Sequence, residues 1–130
     1  MMYVAEKDPN RTLTLILYIL YILAIFTGGI LAIIALIINY VKRSSVQGSI
    51  AASHFTWQIR TFWYYVFWNL LAFVPFLFLL VMDPTSDALR PVILGAVVFC
   101  ALVVLAAWIW IIYRAFKGII RLNNGEAMPV

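Results

Sequence analysis

Charge is missing from three long stretches of this chain. Residues 12–41, 61–82 and 91–113, of 30, 22 and 23 residues, contain no Asp, Glu, Lys or Arg. A helix crossing about 30 Å of hydrocarbon needs about 20 apolar residues at about 1.5 Å each, so each stretch is long enough to span. Over the whole chain 11% of residues are charged and 66% are hydrophobic. A soluble domain carries about 25% charge, so this composition excludes an ordinary water-soluble fold. Cysteine is almost absent: Cys100 stands alone inside the third stretch, which excludes an internal disulfide and reads as a small apolar residue. Histidine is also single, and a metal site needs several ligands at suitable spacing. No acid pair, nucleophile–base pair or phosphate-cradling glycine loop occurs. The expectation is therefore no enzyme, no catalytic residue, no metal and no cofactor. No small-x-small site follows the first apolar run, which reads as a retained signal anchor. The opening MMYVAE lacks the glycine that myristoylation requires, and the closing AMPV is no prenylation signal.

The charges that exist lie between the stretches. Segment 42–60 carries Lys42, Arg43 and Arg60 with no acid. The tail from Arg114 carries Arg114, Lys117 and Arg121 against Glu126. Loop 83–90, DPTSDALR, sets Asp83 and Asp87 against Arg90. The head balances Lys7 and Arg11 with Glu6 and Asp8. Cytoplasmic loops collect Lys and Arg, so 42–60 and the C-terminal tail are expected in the cytoplasm, and 83–90 outside, in the periplasm. The same six cations, Lys42, Arg43, Arg60, Arg114, Lys117 and Arg121, are expected at anionic lipid headgroups, and orientation accounts for them without nucleic acid. The expected fold is one all-α membrane domain over 1–130, with spans at about 12–41, 61–82 and 91–113. An interfacial segment over 44–60 precedes the second span. The tail 114–130 begins as an amphipathic extension, because Arg114, Lys117 and Arg121 share one helical face, and Asn124-Gly125 ends it. Asp83-Pro84 and Arg90-Pro91 punctuate the last two spans.

The first stretch admits two readings. As a straight helix it would be about 45 Å long, more than a bilayer core needs. A single tilted or kinked span gives three spans with the N-terminus outside. A re-entrant pair of half-helices breaking at Gly28-Gly29 puts both termini inside. Paired glycines also permit close helix contact.

The chemically varied run SHFTWQIRTFWYY covers 53–65. On a helix, His54, Gln58, Thr61, Tyr65 and Asn69 fall within about an 80° arc. Such a stripe faces a bundle interior, where it either fastens helices together or lines a pocket or pore, and Asn39 is a candidate partner for its start. Trp57, Trp63, Trp68, Trp108 and Trp110 read as the interfacial aromatic belt.

Three blocks, INYVKR at 38–43, SHFTWQIRTFW at 53–63 and YRAFKGIIRLNNGEAMP at 113–129, resemble a group of small uncharacterised proteobacterial inner-membrane proteins distantly similar to the Tic20-like membrane domain family. The resemblance covers nearly the whole chain. It implies a small helical fold in the bacterial cytoplasmic membrane and supplies no catalytic or binding residue. The functional expectation is a non-catalytic inner-membrane component, a subunit, assembly factor or regulator acting through helix–helix contacts. It would work as a homo-oligomer or with a membrane-protein partner. The alternative is an oligomeric transporter or channel for a neutral or small solute, lined by the polar stripe.

Overall fold

The computed structural model describes residues 9–129. Residues 1–8 and 130, including the head charges Glu6, Lys7 and Asp8, lie outside the described residues. Among the described residues four helices follow one another: α1 (Pro9–Leu23), α2 (Ile30–Lys42), α3 (Ile50–Leu79) and α4 (Leu89–Asn123). Short 3-10 turns occupy Ala24–Thr27 and Arg43–Val46, and no strand occurs among the described residues. Among the described residues three helical segments are long and apolar enough to cross a bilayer: Asn10–Thr27, Ile50–Leu79 and Leu89–Asn123. The chain is an all-α, multi-pass membrane protein. It divides into two compact units, one holding the residues up to Trp63 with those from Ile111 onward, the other holding Tyr64–Trp110.

The first apolar stretch is not one helix but two, which break at Gly28-Gly29. Gly28 and Gly29 both take left-handed backbone, with φ of 66° and 95°. A side chain at either position would cost roughly 1–3 kcal/mol in strain. The Gly29 amide closes on the Ala24 carbonyl at 2.9 Å, and the chain folds back on itself. Leu17, Tyr21 and Ala24 from the first arm share a core with Ala32 and Ala35 from the second. The small alanines let the two backbones approach closely.

Within the expected interfacial segment 44–60, helix begins at Ile50 and continues into the second apolar stretch. Arg43–Val46 is a single 3-10 turn, and α3 then runs unbroken from Ile50 to Leu79, about 45 Å. Nothing in the local sequence interrupts it at Arg60, because no Pro or Gly occurs from Ala51 to Val74. Pro75 lies inside α3, where its missing amide frees one carbonyl of the preceding turn.

Helix α4 ends where Asn124-Gly125 predicts. Gly125 is left-handed at φ 70°. Glu126 N–H bonds the Arg121 carbonyl at 2.8 Å and Gly125 N–H bonds the Leu122 carbonyl at 3.1 Å. These two bonds form a Schellman cap. The cap turns residues 126–129 back over the start of α3: Met128 N–H reaches Ser53 Oγ at 2.9 Å, and the Met128 side chain is buried with Tyr18, Trp57, Ala115 and Leu122.

Within the second unit, Trp108 Nε1–H donates to Tyr65 Oη at 3.2 Å, and the rings of Tyr64 and Trp110 meet edge to face at 6.0 Å. Asp83 closes the connecting loop: its Oδ1 accepts both the Thr85 amide at 2.9 Å and the Thr85 hydroxyl at 2.8 Å. Those bonds hold the exposed Asp83 carboxyl below the usual carboxylate range.

Candidate functional site

The most unusual feature of the first unit is a set of polar side chains in its core. Thr14, Asn39, His54, Gln58 and Thr61 are all buried. Left unpaired in an apolar interior, such groups would each cost about 1–3 kcal/mol. They are paired, in three sets of hydrogen bonds.

The first chain runs through three helices. Tyr21 Oη of α1 donates to Asn39 Oδ1 of α2 at 2.8 Å. Asn39 Nδ2 donates to Gln58 Oε1 of α3 at 2.8 Å, so the Asn39 partnership expected from depth is with Gln58. Gln58 Nε2 then returns to the Thr14 carbonyl of α1 at 3.2 Å. Both carboxamides therefore use an oxygen and a nitrogen, which also fixes their orientation. The Thr14 hydroxyl turns back on its own helix, donating to the Asn10 carbonyl at 2.7 Å.

The second chain joins α1 to the C-terminal turn-back through His54. Nε2 lies 2.9 Å from the Glu126 carbonyl, and Nδ1 lies 2.6 Å from Tyr18 Oη. A carbonyl can only accept, so Nε2 carries the proton and Nδ1 accepts from the Tyr18 hydroxyl. Both ring nitrogens are occupied. The two rings meet edge to face, 5.7 Å apart.

A third cluster ties α3 to α4. Trp57 is only 9% exposed, so it departs from the belt expectation. Its Nε1–H donates to the Arg114 carbonyl at 3.1 Å, and the Arg114 guanidinium lies 3.6 Å over its ring. Arg114 Nε donates to Thr61 Oγ1 at 2.7 Å, while Thr61 donates to the Trp57 carbonyl at 2.7 Å. Lys117 Nζ stands 5.5 Å from the same ring. A cation on an indole face is worth about 0.5–2 kcal/mol. Arg114 and Lys117 thus engage the protein itself, and Arg121 donates to the Ala127 carbonyl at 2.8 Å. Of the six cations expected at lipid headgroups, Lys42, Arg43 and Arg60 are the exposed ones. Trp63 and Trp68 are exposed too, and Trp63 Nε1–H donates to Tyr40 Oη at 3.0 Å.

The remaining stripe residues, Tyr65 and Asn69, belong to the second unit. Asn69 Nδ2 donates to the Tyr65 carbonyl of its own helix at 2.8 Å.

Sequence reasoning named Asn39, His54 and Gln58 but missed the partners that α1 and the C-terminal turn bring to them. Tyr18, Tyr21 and Thr14 were available as a signal: they are spaced i, i+4, i+7 in an apolar stretch and so share a helical face. Gly118 was missed as well. It is buried in α4, and a β-carbon there would overlap the Tyr18 ring. The glycine is what lets α4 lie against the tyrosine that holds His54.

A cavity of about 10 Å³, bordered by Tyr18, Tyr21, Trp57, Gln58, Thr61, Ile111 and Ala115, lies among these chains. That is room for one water at most. The arrangement chemically suits fastening: neutral amides, hydroxyls and an imidazole exchange hydrogen bonds across helices. No family model matches the chain, and neither curated protein sequences nor solved structures give a significant match.

Proposed function

We propose that the chain is a non-catalytic component of the bacterial cytoplasmic membrane, a subunit, assembly factor or regulator that acts through helix–helix contacts. The observation carrying this reading is the closure of the buried polar groups on one another. His54 spends both ring nitrogens, and Gln58 and Asn39 spend both ends of their carboxamides. A transport pathway needs polar groups left open to a solute, and a catalytic site needs a group left free to react. The outer faces are apolar and suit lipid or another membrane helix.

Pulling the tagged chain from native membrane in mild detergent, with mass spectrometry and mass determination, tests this. A stoichiometric foreign membrane protein, or a stable homo-oligomer that transports nothing in liposomes, is the expected result. Solute flux by the purified chain in liposomes overturns the reading.

The proposed orientation follows Lys and Arg. Lys42, Arg43, Arg60 and the tail lie in the cytoplasm, with 83–90 in the periplasm. Arg11 Nη2 donates to Asn123 Oδ1 at 2.8 Å, so the start of α1 shares the side of the end of α4. The N-terminus is then cytoplasmic. A reporter fused after Val130 should read as cytoplasmic, one inserted at Thr85 as periplasmic, and one fused ahead of Met1 as cytoplasmic. A periplasmic N-terminal signal would show that the first stretch crosses once.

A further inference from the structure

Asn69 differs from every other stripe residue. Its only hydrogen bond among the described residues runs from Nδ2 to the Tyr65 carbonyl of its own helix. That leaves Oδ1 and the second Nδ2–H without partners. The residue is half-buried, eight positions into the uncharged stretch 61–82, or about 12 Å along the helix from Thr61. At that depth no water satisfies a carboxamide, so a free acceptor and a free donor side by side are costly.

We infer that Asn69 is the contact point through which a second copy of this chain docks, each carboxamide donating N–H to the oxygen of the other. The inference rests on the helix-contact reading above and adds the occupant. A carboxamide is self-complementary: one free N–H and one free C=O on each copy match across a two-fold axis, where the same patch meets itself. The flanking surface fits a helix partner. Val66 and Phe73 share the Asn69 face at i−3 and i+4, the spacing of an interhelical seam. Phe73 is 55% exposed and neighbouring Leu70 is 66% exposed. Gln58, seven residues before Tyr65, has no such capacity because its amide is spent internally.

The experiment uses the full chain in phosphatidylethanolamine–phosphatidylglycerol liposomes, with donor- and acceptor-labelled copies mixed over a range of protein-to-lipid ratios. Energy transfer should report a dimer. Asn69→Leu should weaken it about tenfold, the scale of one or two interhelical hydrogen bonds in a bilayer. Asn69→Gln, which keeps the donor and acceptor, should restore most of it. In a Cys100→Ala background, Asn69→Cys should form a disulfide-linked dimer on oxidation, whereas Val74→Cys, on another face of the helix, should not. The crosslink keeps the test sharp if Asn69→Leu fails to fold. A dimer insensitive to Asn69→Leu overturns the inference and leaves the broader reading standing. A chain that is monomeric at every ratio yet holds a foreign partner in native membrane overturns the second-copy occupant alone. Monomer with solute flux overturns both.

Discussion

Gly118→Ala should destabilise the chain by more than about 3 kcal/mol, the upper range for forcing extra volume into a packed core. The new methyl would overlap the Tyr18 ring, which cannot swing aside: Tyr18 is buried and its hydroxyl is anchored on His54 Nδ1 at 2.6 Å. Relief requires either moving α4 away from α1 or breaking the Tyr18–His54 bond. Thermal unfolding in detergent, followed by tryptophan fluorescence or by loss of monodispersity, reads the effect. Two companions make the result specific. Gly95→Ala, also in α4, meets nothing within 4 Å, so it should be neutral or stabilising by up to about 1 kcal/mol, the helix preference for Ala over Gly. Tyr18→Leu is itself destabilising, but combined with Gly118→Ala it should cost less than the sum of the two. Additivity in that cycle, or equal effects at Gly118 and Gly95, would show that the close approach does not govern the fold.

Gln58→Leu should rank second, at about 2–4 kcal/mol, because it orphans a donor on Asn39 and removes a bond to the Thr14 carbonyl. The cost comes less from the bond lost than from the buried Asn39 amide left facing hydrocarbon. Asn39→Leu should cause a similar loss by freeing Tyr21 Oη and Gln58 Oε1. The double replacement should be milder than the sum by about 1–2 kcal/mol, since removing both partners leaves fewer orphaned groups. Denaturant or thermal unfolding of the four proteins closes the cycle. Strict additivity would separate the two carboxamides energetically and remove the first hydrogen-bond chain as a unit of stability. Asn69→Leu serves as a contrast, because the Asn69 hydrogen bond stays within one helix and its loss should barely move monomer stability.

Much of the architecture could be read from the chain itself. Hydropathy is a local property, and a run without charge must become a helix in a bilayer because only a helix satisfies its own backbone there. That reasoning suffices for the all-α class and for the helices ending at Leu79 and Asn123, with Gly125 supplying the left-handed residue of the cap. It also suffices to place His54, Gln58 and Thr61 on one inward face. What remained open was any choice between locally equal options. Gly28-Gly29 can sit in a kinked span or make a reversal, and only the packing of Tyr21, Ala24, Ala32 and Ala35 selects the reversal. An arginine and a tryptophan near a helix end suit the headgroup region equally well, and only the stacking of Arg114 on Trp57, with Thr61 beneath its Nε, draws the pair into the protein. The partners of the polar stripe, Tyr18, Tyr21 and the Glu126 carbonyl, lie 36, 18 or 72 positions from the groups they bond. Periodicity along one helix says which way a side chain faces. It carries no term for what another helix brings to meet it, and that meeting is decided by close packing in three dimensions, here by a glycine whose missing β-carbon admits a tyrosine ring.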